Sequence, residues 1–283
     1  MHVLVAGCGW LGTALGRALL ARGDRVTGLR SDPARAAALA AHGIEPLALD
    51  LTAPGALARL PAADAVVACQ SAGWDSADGY RAAYLEANRT LLEAARRGGA
   101  RAFVYTGSTR VFGQTDGSLV TETTPTAPAG AEGEILVEAE RLVLGASQPG
   151  GLRTALIRFS GLYGPGRTGL LDRVASGGMA LGPGDDAFMN FCHLDDAVAF
   201  TLAALDGGPS GAAYHGSDAA PPRRREVVTW VAERLGLSPP RGHTPSFGGA
   251  NRRIDSAWSR QSLGVTLRYP SFRDGFGAAL AAR

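Results

Sequence analysis

The chain has 283 residues, of which 46% are hydrophobic and 19% charged, a composition typical of a globular protein with a large buried core. Its formal net charge of +2 is too small to indicate binding to nucleic acid or to an anionic membrane surface. No run of apolar residues is long enough to predict a membrane span.

The cysteines and the first residues favour a reducing compartment. Cys8, Cys69 and Cys192 lie far apart in the sequence, without the spacing of a CxxC or zinc motif. Met1 and His2 lead directly into an apolar strand, which is not the pattern of a secretory signal peptide. We therefore expect a cytoplasmic protein without a metal site.

The first predicted elements are a strand, a glycine-rich turn and a helix. His2–Ala6 predicts a buried strand, and Thr13–Arg22 predicts a helix. Between them lies Gly7-Cys-Gly-Trp-Leu-Gly12, which has the GxGxxG spacing of dinucleotide-binding turns. The motif is specific here because a strand precedes it and a helix follows it.

Each residue of this turn has a predicted role. Gly7 permits the tight turn, Gly9 lets the backbone approach a pyrophosphate, and Gly12 lets the helix pack closely on the strand. The free N–H groups of the helix N-terminus then face the pyrophosphate. We predict that Trp10 and Leu11 bind the cofactor together with these glycines.

The second predicted strand, Arg25–Leu29, is followed by Arg30 and Ser31. NAD-binding folds usually place an acid here to bind the ribose 2′-OH, whereas an arginine accommodates a 2′-phosphate. Arg30 and Ser31 therefore favour NADP, with NAD as the alternative. Asp32 keeps that alternative open, because it is either the ribose acid or a turn residue before Pro33.

Four more strands alternate with helices along the chain. The strands are predicted at Ile44–Asp50, Ala65–Ala68, Ala102–Thr106 and Thr154–Phe159, and the main helices at Tyr80–Arg97 and Gly133–Leu144. This alternation predicts an α/β fold with a doubly wound parallel Rossmann sheet. We assign 1–164 plus 190–205 to the Rossmann domain, and 165–189 plus 206–283 to a smaller, loop-rich C-terminal substrate domain.

Several further motifs follow in chain order. They are Thr106-Gly-Ser-Thr-Arg-Val-Phe-Gly113, Arg158-Phe-Ser-Gly-Leu-Tyr-Gly-Pro-Gly166, Asn190-Phe-Cys-His-Leu-Asp-Asp196, Ala213-Tyr-His-Gly216 and Leu263-Gly264. Together they resemble the extended short-chain dehydrogenase/reductase family, the NAD(P)-dependent epimerase/dehydratase group. The resemblance implies a Rossmann enzyme that uses NAD(P), and it implies that Asp50 lies near the adenine.

The chain departs from this family at its catalytic pair. All 28 of its Lys+Arg residues are arginine. Arginine cannot replace the lysine of the pair, because its guanidinium stays charged and its pKa cannot be shifted as that of an ammonium group can. Alignment on Pro125, Pro128 and Glu140 places the family's Tyr-x-x-x-Lys pair at Glu132 and Leu136. The resemblance is therefore to an atypical subgroup without the pair.

Another side chain must then donate or remove the proton that accompanies hydride transfer. Ser108 stands at the family's serine position, and we predict that its hydroxyl polarises a substrate oxygen. Tyr163 is the second candidate catalytic residue, with a packing role as its alternative. Further candidate proton donors are Tyr105, Glu132, Glu134 and His193, although carboxylates also favour the start of a helix. We expect Asp195 to cap the helix Ala197–Leu205.

The substrate is less well defined. Trp74, Tyr80 and Tyr84 are candidates for the pocket lining, and Arg167 is either a phosphate ligand or a solvated side chain. We expect an NADP-dependent oxidoreductase or epimerase/dehydratase-like protein acting on a small carbonyl, imine or sugar-nucleotide substrate. The alternative is a non-catalytic NADP(H)-binding redox sensor or regulatory protein.

We also expect a homodimer, without a nucleic-acid or membrane partner. In relatives, the helices corresponding to Tyr80–Arg97 and Gly133–Leu144 form the interface. The second of these helices carries an apolar stripe at helical spacing, namely Ile135, Leu136, Ala139, Leu142 and Val143.

Overall fold

The computed structural model describes residues 1–72, 76–182, 186–242 and 249–282. Trp74 therefore lies outside the described residues. Seven strands form the central sheet: β1 (His2–Ala6), β2 (Arg25–Arg30), β3 (Glu45–Ala48), β4 (Ala65–Ala68), β5 (Ala102–Ser108), β7 (Arg153–Phe159) and β10 (Ala212–Gly216). Shorter strands pair outside it, β6 (Ser118–Val120) with β11 (Arg252–Ile254) and β8 (Gly161–Tyr163) with β9 (Phe191–His193).

Helices fill the connections between these strands. They are α1 (Trp10–Ala21), α2 (Pro33–Ala37), α3 (Ala56–Arg59), α4 (Ala77–Tyr80), α5 (Ala87–Gly98), α6 (Ala131–Leu144), α7 (Gly169–Ala175), α8 (Leu194–Asp206), α9 (Arg224–Arg234), α10 (Ala257–Leu263) and α11 (Phe272–Ala281). A π-helical segment, Arg81–Glu86, joins α4 to α5. Within the described ranges, no helix is both long and apolar enough to cross a membrane.

The central sheet is parallel throughout, with strand order β10-β7-β5-β4-β1-β2-β3. Alternate residues of β1 face opposite sides, so Val3 and Val5 pack beneath α1 and α8, whereas Leu4 and Ala6 pack beneath α5 and α6. Both faces are covered, and the predicted doubly wound Rossmann sheet is confirmed. Its chain order reverses between β1 and β4, the place where such sheets bind ligands.

A separate apolar cluster lies between α7, α9 and α11. It joins Tyr163 and Phe191 to Val227, Phe272 and Phe276. The predicted division into two domains stays a prediction, but one segment differs from it. Strand β10 falls in the range 206–283 assigned to the second domain, yet it pairs with β7 in the central sheet.

The apolar stripe of α6 lies inside the chain. Ile135, Leu136, Ala139 and Val143 are buried, and Leu142 packs against the same cores. The solvent-facing side of α6 carries charged residues, which are Glu134, Glu138 and Arg141. The stripe therefore packs on its own sheet, and the homodimer stays a prediction without support from it.

Candidate cofactor and active site

Gly7 is the residue on which the glycine loop (Gly7–Gly12) depends. Its φ is +71°, and a Cβ built on it would lie 2.2 Å from the Cα of Gln70. Only glycine fits, since the left-handed backbone and the close approach to the end of β4 both exclude a side chain. The loop is thereby pressed against the carboxyl ends of β1 and β4.

Gly9 and Gly12 differ in what surrounds them. A Cβ on Gly12 would lie 3.0 Å from the carbonyl oxygen of Gly7 and 3.2 Å from Val5 Cγ1, so α1 packs closely on β1. A Cβ on Gly9 would meet no atom nearer than 3.7 Å. Helix α1 begins after Gly9 without a side-chain cap or an acidic residue in its first turn. An anion can therefore approach these N–H groups.

The two cysteines near this loop are packing residues. Cys8 is fully buried, and burial raises the pKa of its thiol to about 11. Burial likewise raises the pKa of Cys69, after β4, to about 12. Thiols held in the protonated form are poor nucleophiles.

Arg30 lies beside the glycine loop, whereas the Asp32 side chain is engaged by the next helix. Arg30 Nη1 donates to the carbonyl oxygen of Cys8 at 3.4 Å. The Asp32 carboxylate accepts from the backbone N–H of Arg35 at 2.7 Å and caps α2. Ser31, between them, is exposed. Arg30 thus keeps its guanidinium beside the glycine loop, whereas the Asp32 carboxylate is engaged by α2.

Asp50 follows β3 on the same edge of the sheet. Its Oδ1 accepts from the backbone N–H of Thr52 at 2.9 Å and from the Thr52 hydroxyl at 2.8 Å. The backbone next to it is fixed by the N–H of Leu49, which donates to the carbonyl oxygen of Arg30 at 3.0 Å. These contacts place Asp50 near the end of β2, and its position beside the adenine stays a prediction.

Gln70 presents a buried acceptor next to Gly7. The Asn88 amide nitrogen donates to the carbonyl oxygen of Tyr84 at 2.7 Å, which orients the Asn88 side chain. Asn88 Oδ1 then accepts from Gln70 Nε2 at 2.9 Å, so the orientation of Gln70 is also fixed. Gln70 Oε1 is left buried without a hydrogen-bond partner among the described residues. Such an atom is free to accept a hydrogen bond from a ligand.

Ser108 belongs to a polar cluster at the carboxyl end of β5. We call Tyr80, Ser108, Arg110 and Glu132 the Arg110 cluster. The Ser108 oxygen accepts from the backbone N–H of Arg110 at 3.2 Å. Arg110 Nη1 donates to the Tyr80 hydroxyl oxygen at 3.2 Å, and Arg110 Nη2 lies 3.5 Å from Glu132 Oε2. The hydroxyl hydrogens of Ser108 and Tyr80 have no acceptor among these contacts, so both groups can donate to a ligand.

Sequence reasoning placed Glu132 here but missed Arg110 and treated Tyr80 only as pocket lining. Glu132 lies in the first turn of α6, half-buried, whereas Leu136 one turn later is buried in an apolar cluster. Tyr80 reaches the cluster from the last position of α4, directly before the π-helical segment, a local structure that is frequent at functional sites. Within that segment, the Tyr84 carbonyl oxygen accepts a hydrogen bond from the Asn88 side chain. A polar side chain buried in this helix was the sequence signal for its irregular geometry.

Tyr163 and Tyr105 lie away from this cluster, in apolar cores. The Tyr163 ring packs against Phe276 and Phe191, and a Cβ on Gly275 would lie 2.0 Å from its hydroxyl oxygen. Burial raises the pKa of both tyrosines, and neither hydroxyl has a partner among the described residues. Tyr163 is therefore a packing residue, and its predicted catalytic role is not retained.

His193, not Asp195, caps α8. The helix begins at Leu194, and His193 Nδ1 accepts from the backbone N–H of Asp195 at 3.2 Å. The predicted cap at Asp195 is wrong because the helix starts three residues earlier than its apolar pattern indicated. Burial lowers the pKa of His193, whose ring stacks on Tyr269. His193 is thus engaged as the cap of α8 and contacts no member of the Arg110 cluster in the described part of the chain.

The site fits a dinucleotide. The glycine loop leaves space that a Cβ would fill, α1 has a free N-terminus, and Gln70 offers an unsatisfied acceptor on the same edge. Gly7, Gly9, Trp10, Leu11 and Gly12 would hold the pyrophosphate. Among the described residues, no three His, Cys, Asp or Glu side chains come together as a metal site would require.

Comparisons with known proteins identify the family of the chain. The family model of the NAD dependent epimerase/dehydratase family matches residues 3–215. The chain is 30% identical over 274 residues to Protein YeeZ of Escherichia coli (strain K12), covering 95% of this chain and 96% of that protein. It is 30% identical over 313 residues to a 3-diazoavenalumate denitrifying reductase of Streptomyces sp, covering 98% and 99%.

A further relative is also named as a reductase, and a solved structure shares the fold. The 4-hydroxy-2-methyl-3-oxo-4-farnesyl-3,4-dihydroquinoline-1-oxide ketoreductase of Stigmatella aurantiaca is 27% identical over 283 residues, covering 95% of this chain and 84% of that protein. A short-chain dehydrogenase/reductase superfamily protein from Agrobacterium tumefaciens with bound NAD matches with a TM-score of 0.84 at 23% identity. The match covers 100% of this chain and 97% of that one.

Proposed function

The chain belongs to the NAD dependent epimerase/dehydratase family, and on that premise we propose that it is an NADP(H)-dependent oxidoreductase that reduces a small molecule by hydride transfer. One observation carries most weight. The glycine loop, the unsatisfied Gln70 acceptor and the Arg110 cluster all lie at the carboxyl ends of neighbouring parallel strands. A cofactor on the loop would thus extend toward Ser108.

NADP is preferred over NAD because of two side chains at and just after the end of β2. Arg30 already lies beside the loop, and a 2′-phosphate there gains a charge-assisted hydrogen bond from its guanidinium. Asp32, the acid that would favour NAD, is engaged as the cap of α2. Asp50 borders the adenine end, and Gln70 Oε1 accepts from a hydroxyl of the cofactor.

The Arg110 cluster supplies what the family's Tyr-x-x-x-Lys pair would supply. A bound, reduced nicotinamide gives a hydride to the substrate carbon. The Ser108 hydroxyl donates to the substrate oxygen and polarises the C=O bond. Tyr80 donates the proton to that oxygen, and Arg110 stabilises the phenolate left behind, since it already donates to the Tyr80 oxygen. Glu132 orients Arg110.

The named reductases among the relatives favour two kinds of substrate. One acts on a diazo compound and the other on a ketone, so we propose a carbonyl or diazo group as the hydride acceptor. A ketone needs both hydride and proton. An aryl diazo group in its cationic diazonium form takes the hydride at the ring carbon while the C–N bond breaks and N₂ leaves, so that reaction requires no proton donor.

Tyr80→Phe therefore separates the two chemistries. We expect it to lower kcat for a ketone by about 100-fold, the lower range for loss of a general acid, and to leave reduction of an aryl diazonium salt within about two-fold. Tyr84→Phe is the matched control, since the Tyr84 and Tyr80 ring centroids lie 5.2 Å apart but Arg110 donates to Tyr80. We expect Tyr84→Phe to retain both activities.

The measurement is NADPH oxidation with a panel of ketones, aldehydes, imines and aryl diazonium salts, each corrected for the rate without protein. Turnover of at least one class is the expected result. Tight NADPH binding without turnover of any class would overturn the oxidoreductase proposal and favour the redox-sensor alternative.

A further inference from the structure

A short turn from the second half of the chain lies against the glycine loop. In the turn Gly164–Arg167, the N–H of Arg167 donates to the carbonyl oxygen of Gly164 at 2.9 Å, and the reverse bond is 3.4 Å. Gly164 and Gly166 have φ values of +146° and +75°. Because side chains disfavour such backbone angles, the two glycines fix the shape of the turn.

Trp10 connects this turn to the loop. Its indole N–H donates to the carbonyl oxygen of Pro165 at 2.8 Å. The guanidinium of Arg167 lies over the same indole, 5.4 Å from the ring centroid. Trp10 directly follows Gly9 and is the first residue of α1. The stacking therefore holds a cation beside the N-terminus of that helix.

Positive charge accumulates here without a protein anion. Arg167 takes part in none of the ion pairs found in the described part of the chain. The first turn of α1 contains no acidic residue, and its N–H groups carry the positive end of the helix dipole. Other exposed arginines, such as Arg17, also lack an ion pair among the described residues, but Arg167 is the one that lies over the Trp10 ring beside the N-terminus of α1.

We propose that Arg167 binds the pyrophosphate of the dinucleotide, together with the N-terminus of α1, while Trp10 holds its guanidinium in position. This inference rests on the proposed use of NADP(H). Two arginines then recognise different parts of one cofactor, Arg30 the 2′-phosphate and Arg167 the pyrophosphate. The cofactor would also tie the glycine loop to the turn after β8.

The test measures affinity, so it does not depend on a substrate. NADPH, NADH and adenosine 2′-monophosphate are titrated by calorimetry into the wild type and into Arg167→Ala and Arg30→Ala. The monophosphate carries the 2′-phosphate but no pyrophosphate. Arg17→Ala is the charge-matched control, because Arg17 is exposed on α1 away from its N-terminus.

Arg167→Ala is expected to weaken NADPH and NADH by about ten-fold, the effect of one charge-assisted hydrogen bond, and to leave the monophosphate within about two-fold. Arg30→Ala should weaken NADPH and the monophosphate but not NADH. Arg17→Ala should change nothing. NADPH binding should also depend less steeply on salt in Arg167→Ala than in the wild type.

Two failures are distinguishable. If the wild type binds neither dinucleotide, the proposed function fails. If it binds one of them and Arg167→Ala binds it equally well, only the role of Arg167 is overturned, and the stacking on Trp10 is then structural. Thermal unfolding without cofactor should be unchanged in Arg167→Ala, since this side chain is exposed. A lower melting temperature together with weaker binding of all three ligands would also overturn the inference.

Discussion

The two ends of the proposed cofactor cleft are constructed differently. At the glycine loop, the shape comes from backbone that lies too close to its neighbours for any side chain, as at Gly7 and Gly12. At the Arg110 cluster, the arrangement comes from side chains that reach one another from α4, from the 3-10 turn after β5 and from α6. A local motif therefore encodes the binding end, whereas tertiary packing assembles the chemical end.

Gly7→Ala tests the binding end and should have the largest effect. The new Cβ would meet the Gln70 backbone at 2.2 Å, and the residue would keep a φ of +71°. We expect destabilisation by more than about 4 kcal/mol, or failure to fold, with loss of dinucleotide binding. Chemical denaturation and cofactor titration measure both.

Gly23→Ala is its control, because Gly23 has a φ of +87° but no atom within 4 Å of a built Cβ. Gly23→Ala should lower the free energy of unfolding by only about 1 kcal/mol, the penalty of the left-handed backbone. Similar losses in the two variants would show that the close approach at Gly7 is unimportant.

Glu140→Gln tests how the chemical end is supported. Glu140 on α6 accepts two hydrogen bonds from Arg158 on β7, at 3.0 and 2.9 Å, and both side chains are buried. Removal of the carboxylate leaves a buried guanidinium without its counter-charge, so we expect a loss of about 3 kcal/mol in the free energy of unfolding.

The double variant Glu140→Leu, Arg158→Met removes both charges and should be less destabilised than the single one. Denaturant unfolding of the two variants decides this. A double variant that is as unstable as Glu140→Gln would contradict the electrostatic explanation and point to lost packing between α6 and β7.

Asp218 sharpens the comparison with Glu140, because it is a buried carboxyl without a paired arginine. Burial, and then the charge of Asp196, raise the pKa of Asp218 to about 8. The pKa in the folded state therefore exceeds that in the unfolded state, so the folded protein binds the proton more tightly. Stability should fall as the pH rises from about 4 to about 8, by at most about 1.4 kcal/mol per pH unit.

Asp218→Asn cannot lose this proton and should flatten that dependence. Between pH 6 and pH 8 we expect the wild type to lose about 1–2 kcal/mol more than the variant. Urea unfolding at the two pH values provides the measurement. Parallel pH profiles would show that Asp218 is ionised in the folded state already at pH 6.

The sequence predicted the strand, turn and helix around the glycine loop because their determinants are consecutive residues. The strand, turn and helix around Gly7 need only local backbone preferences and close packing. The Arg110 cluster joins residues 30 positions apart at Tyr80 and Arg110, and no short motif encodes that contact. Strand β10 was not predicted, because Ala212–Gly216 pairs with β7 across a long sequence separation that no local pattern indicates.

The π-helical segment Arg81–Glu86 also bears on how such a site changes over evolutionary time. A π turn takes one residue more than an α turn, and one residue rotates a helix by about 100°. Deletion of a single codon there would leave α5 packed on the sheet and swing Tyr80 away from Arg110. A tyrosine of this kind can thus be gained or lost by one insertion or deletion, while every residue of the sheet and of the glycine loop stays the same.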